Sequence, residues 1–134
     1  MKISAQEEYG LRILIQLAKA DNGLSISEIA KLEDLTIANT AKFCRILRLA
    51  GYLKSTKGKD GGYKINIPPS DIRLDKLMAT LDPPLYGEHF CDRFCDDKNI
   101  CVHITDCQVK TVWIKMQAAV QSTLGSITLA SLLK

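Results

Sequence analysis

The sequence predicts a mainly α-helical fold with one small β-hairpin, in which a winged helix-turn-helix precedes a long C-terminal helix. Three observations favour this fold class. Three short amphipathic segments are followed by a glycine-rich turn between two stretches of strand character. From Lys42 to Lys64, seven Lys or Arg side chains accompany a single acid. An apolar stripe with helical spacing occupies residues 109–120.

The first two helices are predicted by their spacing and their start signals. In the second helix, Ser25 and Glu28 form a capping box ahead of the apolar Ile29 and Ala30. In the first helix, apolar side chains recur at i, i+3, i+4 and i+7 until Asp21-Asn22-Gly23 ends the pattern. These side chains are Leu11, Leu14, Ile15 and Ala18.

The third helix is predicted to begin after a turn at Leu35-Thr36, with Thr36 as its N-cap, and to end at Gly51. Two strand-like stretches, Tyr52 to Thr56 and Tyr63 to Ile67, flank the turn 57–62. The glycines of that turn permit the positive φ values that a hairpin requires. The apolar side of the third helix is expected to consist of Ile37, Ala41, Cys44 and Leu47.

The second half of the chain begins at Pro68-Pro69, where the hairpin ends. A short helix follows, and Pro83-Pro84 terminates it. An irregular, cysteine-bearing loop then leads to Thr105 and Gln108, a candidate capping box for the last long helix. The short helix carries Leu74, Leu77, Met78 and Leu81, and the long helix carries a stripe of Val109, Val112, Trp113, Met116 and Val120. This stripe could pack within one chain or against its twin, and its length favours a homodimer.

These patterns predict three segments of the chain. They are a winged helix-turn-helix DNA-binding domain over 1–67, a connecting helix and cysteine-bearing cluster loop over 68–107, and a dimerisation helix with a C-terminal segment over 108–134. The 134 residues, 46% of them hydrophobic, suffice for one core with at most a small appendage. Charged residues interrupt the N-terminus early, which predicts a cytoplasmic protein with no membrane partner.

Positive charge is concentrated in the first half of the chain. Residues 1–70 contain 11 basic and 7 acidic side chains, whereas residues 71–134 contain 7 and 8. Basic side chains recur every third residue on one side of the third helix, and the start of such a helix presents side chains to base edges. Asn39 could pair with an adenine. The candidate DNA-binding residues are Thr36, Ala38, Asn39, Lys42, Arg45 and Arg48 in the helix region, with Lys57 and Lys59 in the wing.

The cysteines predict a metal or redox centre. Four of the five lie between residues 91 and 107, and an odd number in a reducing compartment argues against structural disulfides. Thiolate sulfur suits iron–sulfur clusters and zinc alike, but structural zinc favours closely spaced Cys pairs, which only Cys91 and Cys95 approach. The candidate metal ligands are Cys91, Cys95, Cys101 and Cys107. Cys44 is assigned to the core as a small hydrophobe.

Several segments together resemble the Rrf2 family of bacterial transcription regulators, and the similarity extends nearly from end to end. This resemblance implies a homodimer that binds a near-palindromic double-stranded DNA operator, with the long C-terminal helix as the contact between the two protomers. It also implies an iron–sulfur cluster, 2Fe-2S or 4Fe-4S, that biases the DNA-binding state in members with the cysteines. Its firm ligands would be Cys101 and Cys107, preceded by Cys91 or Cys95. The matching segments are Glu8-Tyr9-Gly10-Leu11-Arg12, Ile26-Ser27-Glu28-Ile29-Ala30, Leu47-Arg48-Leu49-Ala50-Gly51-Tyr52, Lys57-Gly58-Lys59-Asp60-Gly61-Gly62-Tyr63 and Ile127-Thr128-Leu129-Ala130.

The resemblance also proposes a further ligand. Some cluster-assembly regulators of this family place a histidine three residues after the last cysteine, where this chain has Lys110. The nitric oxide sensors of the family instead supply a carboxylate just before the Tyr-Gly pair. Glu8 occupies that place and could reach across the dimer. The fourth cysteine, His89 or His103 could fill the site instead, and Glu8 could simply favour the dipole at its helix start.

The sequence therefore predicts a DNA-binding transcription regulator whose operator affinity an iron–sulfur cluster controls, in response to redox state, nitric oxide or iron and cluster status. The alternatives are a metal-free thiol redox sensor, in which one loop cysteine is oxidised and another resolves it, and a zinc-stapled DNA-binding or interaction module. No Ser/His/Asp set, phosphate-binding glycine loop or paired carboxylate cleft occurs, so neither enzymatic activity nor a small-molecule substrate is predicted.

Overall fold

A computed structural model describes residues 2–58, 61–95 and 100–133 of the chain. Over these residues the order of helix, helix, turn, helix and hairpin confirms the predicted winged helix-turn-helix. The N-terminal elements are α1 (Ala5–Lys19), α2 (Ile26–Glu33), α3 (Ile37–Leu49), β1 (Leu53–Thr56) and β2 (Gly62–Ile65); α4 (Leu74–Leu81), α5 (Lys110–Gly125) and α6 (Leu129–Leu132) follow. Short 3-10 turns occupy Pro69–Asp71 and Cys91–Phe94.

Side-chain caps fix where the first three helices begin. The predicted capping box of Ser25 and Glu28 is present, because each side chain bonds the backbone N–H of the other residue. Ser4 and Glu7 form a second such box at the start of α1. The Thr36 hydroxyl accepts the N–H of Asn39 at 3.1 Å, so Thr36 caps α3 as predicted.

The turn between α2 and α3 depends on a left-handed residue. Asp34 adopts φ 53° and ψ 50°, a conformation that Asp tolerates better than most side chains. The N–H of Leu35 then bonds the carbonyl of Ala30 at 2.9 Å, and the Leu35 side chain packs against the core. The chain is thereby reversed and α3 is directed across α2.

The buried side of α3 differs from the predicted one. The four side chains that face the core are Thr40, Phe43, Cys44 and Leu47. Ile37, which the sequence placed on that side, is 55% exposed, because at about 100° per residue it lies at the edge of the stripe that these four side chains form. Side chains of a helix also lean toward its N-terminus, which carries Ile37 further out.

The wing is pinned to the start of α2. Strands β1 and β2 pair antiparallel with Leu53 opposite Ile65. Outside this ladder, Leu24 and Tyr63 exchange two backbone hydrogen bonds of 3.0 and 2.9 Å. Gly62 lies so close to this bridge that an added Cβ would overlap the Leu24 carbonyl oxygen and lie 2.9 Å from the Cα of Ser25. Only glycine fits there, so the hairpin has one position relative to α2.

We expect Gly62→Ala to destabilise the protein by about 1–3 kcal/mol, because the methyl group forces the wing away from α2. Operator affinity should fall with it, since the wing is displaced from the helix-turn-helix. Thermal unfolding and fluorescence anisotropy with operator DNA measure the two effects. Gly61→Asn is the matched control, because position 61 has open space around it among the described residues and a φ of 52° that Asn accepts. Equal stability of both variants would contradict the close-contact argument.

The end of the chain returns to the N-terminal core. The N–H of Leu129 bonds the carbonyl of Ile72 at 2.8 Å, and the N–H of Leu74 bonds the carbonyl of Ile127 at 3.0 Å. Leu129 is fully buried in the same cluster as Ile13 of α1. The segment after α5 therefore packs into the core of the winged domain.

The long helix α5 begins later than predicted and is mostly exposed. Val109 precedes its first residue, Lys110, without a side-chain cap, so the expected capping box of Thr105 and Gln108 is absent and that prediction is wrong. None of the residues of α5, all of which the structure describes, is fully buried. Val112 is 50% exposed. Within the described ranges, no helix has the length and apolar character needed to cross a membrane.

Candidate DNA-binding surface and cysteine loop

The third helix presents its cations to solvent. Lys42, Arg45 and Arg48 are all exposed, whereas Phe43 and Leu47 of the same helix are buried. At the start of the helix, Thr36, Ala38 and Asn39 are exposed as well. The candidate helix residues therefore share one accessible surface of α3, which we call the recognition surface.

The wing extends beside this surface. Lys57 is exposed at the end of β1, in the position expected of a phosphate contact. Lys59, the other wing residue predicted from the sequence, lies outside the described residues.

Helix α1 is coupled to the recognition helix through stacked rings. The Tyr9 ring lies over that of Phe43, with centroids 5.7 Å apart and an interplanar angle of 19°. Arg12 lies over the free face of Tyr9, and the Lys42 ammonium lies 5.7 Å from the Phe43 centroid. A shift of α1 along this contact would displace the Phe43 ring and, with it, the Lys42 side chain of the recognition surface.

Glu8, the candidate metal ligand of α1, lies at the edge of an ionic network. Its carboxylate is 57% exposed and lies 3.8 Å from Arg12. Arg12 donates to the buried carboxylate of Glu33 at 2.5 Å, and Gln16 donates to the same carboxylate at 2.8 Å. The hydrogen bond from Arg12 to Glu33 raises the pKa of the Arg12 guanidinium. Since Glu33 already holds Arg12, the exposed carboxylate of Glu8 is available to another cation.

The first half of the cysteine loop is anchored to α5 by aromatic rings. The Phe90 ring contacts Tyr86 at 5.0 Å, Phe94 at 5.2 Å and Trp113 at 6.3 Å between centroids. Gln117 of α5 accepts the backbone N–H of Tyr86 at 3.1 Å. The sequence analysis did not identify this cluster, although the spacing of Tyr86, Phe90 and Phe94 at four-residue intervals was its signal.

The cysteines of this anchored half surround the 3-10 turn. Cys91 begins the turn, and the thiol of Cys95 donates to the carbonyls of Cys91 and Asp92 at 3.2 and 3.3 Å. Both side chains are half-buried and free.

The second half of the loop has local contacts only. Cys101 and Cys107 are also half-buried and free. Among the described residues, the hydrogen bonds of 100–107 stay within that segment; they join Ile104 to Cys101 and Asp106 to His103. The two halves of the loop therefore differ in how firmly they are attached to α5.

The loop histidines each pair with a nearby aspartate. Nδ1 of His89 lies 3.0 Å from Asp92, and Nδ1 of His103 lies 3.4 Å from Asp106. Both imidazoles are exposed, as expected of hydrogen-bonded surface residues.

The donor chemistry of the loop fits a thiolate-bound metal centre, since it carries four free cysteines at half-buried positions. The described part of the chain does not bring three or more Cys, His, Asp or Glu side chains together as a formed metal site would.

Cys44 is chemically separate from the loop cysteines. It is fully buried in the core, and burial raises the pKa of its thiol to about 12. Because the thiolate is the reactive form, roughly one Cys44 thiol in ten thousand would be reactive at pH 8. The interpretation of Cys44 as a core hydrophobe is consistent with this position.

In metal-free native protein at pH 8, we expect four of the five thiols to react promptly with a disulfide reagent such as dithionitrobenzoate. The fifth should react only after unfolding in guanidinium. In a Cys44→Ala variant the late reaction should vanish and the early one should be unchanged. Prompt reaction of all five thiols would contradict the buried position of Cys44.

Known proteins resemble this chain over nearly its whole length. The model of the Rrf2 family, described as an iron-dependent transcriptional regulator, matches residues 3–134. The protein Rrf2 of Nitratidesulfovibrio vulgaris is 30% identical over 137 residues, which cover 100% of this chain and 88% of that relative.

Two solved structures share the fold. IscR of T. potens superposes with a TM-score of 0.75 at 26% identity, covering 98% of this chain and 85% of IscR. CymR of B. subtilis, the global cysteine regulator of that organism, superposes with a TM-score of 0.76 at 29% identity, covering 98% of this chain and 95% of CymR.

Proposed function

Since the chain belongs to the Rrf2 family of transcription regulators, we propose that an iron–sulfur cluster held by its cysteine loop controls how tightly it binds its operator. The chain is a transcription regulator and not an enzyme. One observation carries the proposal about control. Four free, half-buried thiols lie on a single loop between α4 and α5, and half of that loop lacks hydrogen bonds to other elements among the described residues.

The exposed cations of α3 support its role as the operator contact. A duplex major groove is lined by phosphates and admits a helix, so Lys42, Arg45 and Arg48 can neutralise phosphates on both sides of it. Asn39 lies in the first turn of α3, the end of the helix that would enter the major groove first. Its side-chain amide has the donor and the acceptor that pairing with adenine requires. Lys57 supplies a further cation from the wing.

Cys101 and Cys107, together with Cys91 or Cys95, would hold the cluster. The bound group would supply a redox-active, nitric oxide-reactive centre whose stability depends on iron supply. Holding it gathers thiols from both halves of the loop. The anchored half keeps its place against Trp113 and Gln117, so the second half is the one that moves.

Glu8 would connect this loop to the recognition surface. Its carboxylate is exposed at the start of α1, one residue before the Tyr9 ring that stacks on Phe43 of α3. In a homodimer, Glu8 of one protomer can complete the ligand set of the other. A carboxylate drawn toward metal would displace α1, and the stacked rings would pass that displacement to α3.

The exposed surface of α5 supports a homodimer. Val109, Val112 and Met116 are exposed apolar side chains on the N-terminal half of this helix and immediately before it. Covering them with a twin helix would remove them from water, and two recognition helices would then face successive turns of a near-palindromic duplex. In this proposal, segment 1–67 binds DNA, segment 68–107 senses, and α5 within segment 108–134 forms the dimer contact, while the residues after α5 pack into the core of the winged domain.

Regulation requires two arrangements of the recognition helices that differ in stability. A cluster can change operator affinity only if it favours one arrangement of the recognition helices over the other. Ordering of the 100–107 segment is the local change that would provide this difference.

Anaerobic purification followed by iron and acid-labile sulfide analysis tests the proposed cofactor. We expect coloured protein with visible charge-transfer absorption and about equal amounts of iron and sulfide. A colourless protein with one zinc per chain would replace this proposal with the zinc-stapled module. Colourless, metal-free protein whose operator affinity responds to oxidant would replace it with the thiol redox sensor.

A further inference from the structure

Ile37 is a large, exposed apolar side chain at the N-terminal end of α3. It is the first residue of α3 and is 55% exposed, whereas Phe43, Cys44 and Leu47 of the same helix are buried. An isolated exposed isoleucine on a protein surface needs no explanation. This one lies between Thr36 and Ala38, at the end of the helix expected to approach base edges, so its surroundings in the DNA complex decide its role.

The backbone at Ile37 is held rigidly. The Thr36 hydroxyl accepts the N–H of Asn39, and the Thr40 hydroxyl donates to the Thr36 carbonyl at 2.9 Å. Thr40 is fully buried. A β-branched side chain on a fixed helical turn has few rotamers, so Ile37 loses little conformational freedom when it is covered.

The charged side chains near Ile37 indicate which kind of partner would cover it. Lys42, Arg45 and Arg48 on the same helix are exposed and positive, which makes a polyanion the complementary partner. Inside the major groove of a DNA duplex, the apolar feature of a base edge is the C5-methyl group of thymine. An apolar side chain at the leading end of a cationic helix therefore matches that methyl group and no other base substituent.

We infer that Ile37 is a specificity-determining residue that packs against the C5-methyl group of a thymine in each operator half-site. This inference rests on the proposed binding of the operator by α3. It adds a second kind of readout beside the hydrogen bonding of Asn39, one that selects thymine over cytosine at its position by apolar contact.

The test uses the duplex that the full-length protein selects from a random-sequence pool. Each thymine of one half-site is replaced in turn by deoxyuridine, which keeps base pairing and removes only the methyl group. With wild-type protein, one such replacement should weaken binding about fourfold, as expected for one buried methyl-sized group. With Ile37→Ala, the same replacement should change the affinity by less than about 1.5-fold.

Two matched variants isolate the side chain. Ile37→Val keeps a branched apolar group and should retain most of the methyl dependence. Leu32→Ala removes another apolar side chain that is also 55% exposed, and the full dependence should persist. Because Ile37 and Leu32 are exposed, thermal unfolding should show both alanine variants folded.

Other outcomes overturn the inference in distinguishable ways. If the wild-type protein is insensitive to every thymine methyl group, or if Ile37→Ala keeps the wild-type sensitivity, Ile37 is not the thymine contact although operator binding stands. If the pool yields no preferred duplex, the proposed operator binding by α3 fails together with the inference.

Discussion

Replacing Lys42, Arg45 and Arg48 together by alanine is expected to weaken operator binding on the order of a hundredfold to a thousandfold at about 0.1 M salt. The three side chains are exposed on α3, whereas Phe43 and Leu47 of the same helix are buried. Replacing the three by alanine therefore removes charge without leaving a cavity in the core. The slope of log affinity against log salt should fall by about 0.9 for each lost phosphate contact, which is about 2.7 for each recognition helix and about 5.4 for the homodimer. Fluorescence anisotropy over a salt series measures both quantities.

A triple variant with the same change in net charge serves as the control. Lys76, Lys110 and Lys115 are exposed, and they lie in α4 and α5, away from the recognition surface. Their replacement by alanine should leave the salt slope nearly unchanged. Equal losses in both triple variants would mean that the protein attracts DNA through its overall charge, and α3 would not be the contact.

The double variant Cys101→Ala, Cys107→Ala should lose its cofactor and its regulation together. Two of the three proposed cysteine ligands are removed, so iron and sulfide should fall to background in anaerobic preparations. The operator affinity of wild-type protein should differ by about tenfold to a hundredfold between its cluster-bound and cluster-free forms, the usual range of coupling between two sites. The double variant should show one affinity, equal to that of cluster-free wild-type protein.

Cys44→Ala is the comparison variant, because Cys44 is fully buried in the core and remote from the loop chemistry. It should keep both the cofactor and the full difference in affinity. A double variant that still switched with cluster status would remove Cys101 and Cys107 from the proposed sensor, and the DNA-binding role of the chain would be unaffected.

Local signals in the sequence were sufficient for the helices and the wing. Capping residues and apolar periodicity act over three or four positions, so Ser25, Glu28 and Thr36 could be assigned before any tertiary contact was known. The capping box expected of Thr105 and Gln108 failed because the same residue pattern also occurs in loops. Val109 is 56% exposed, so burial does not favour an earlier start, and α5 begins at Lys110.

Tertiary context decided the features that the sequence left open. Ile37 fits the apolar period predicted for α3, yet it is exposed because Thr40, Phe43, Cys44 and Leu47 form the buried side of that helix. Two contacts join elements that are distant in sequence: the stack of Tyr9 on Phe43 and the hydrogen bond of Arg12 to Glu33. Local sequence patterns do not predict such contacts. Proposed ligands from separate segments, such as Glu8 and Cys101, depend in the same way on loop closure and on a second protomer.

The most direct test of the central claim follows cluster content and operator affinity in one sample. Anaerobically purified protein is bound to fluorescent operator at fixed salt, and the cluster is removed stepwise with nitric oxide while visible absorption and anisotropy are recorded together. We predict that operator affinity changes about tenfold or more in proportion to the lost absorption. An affinity that stays constant while the absorption disappears would show that the cluster does not control DNA binding.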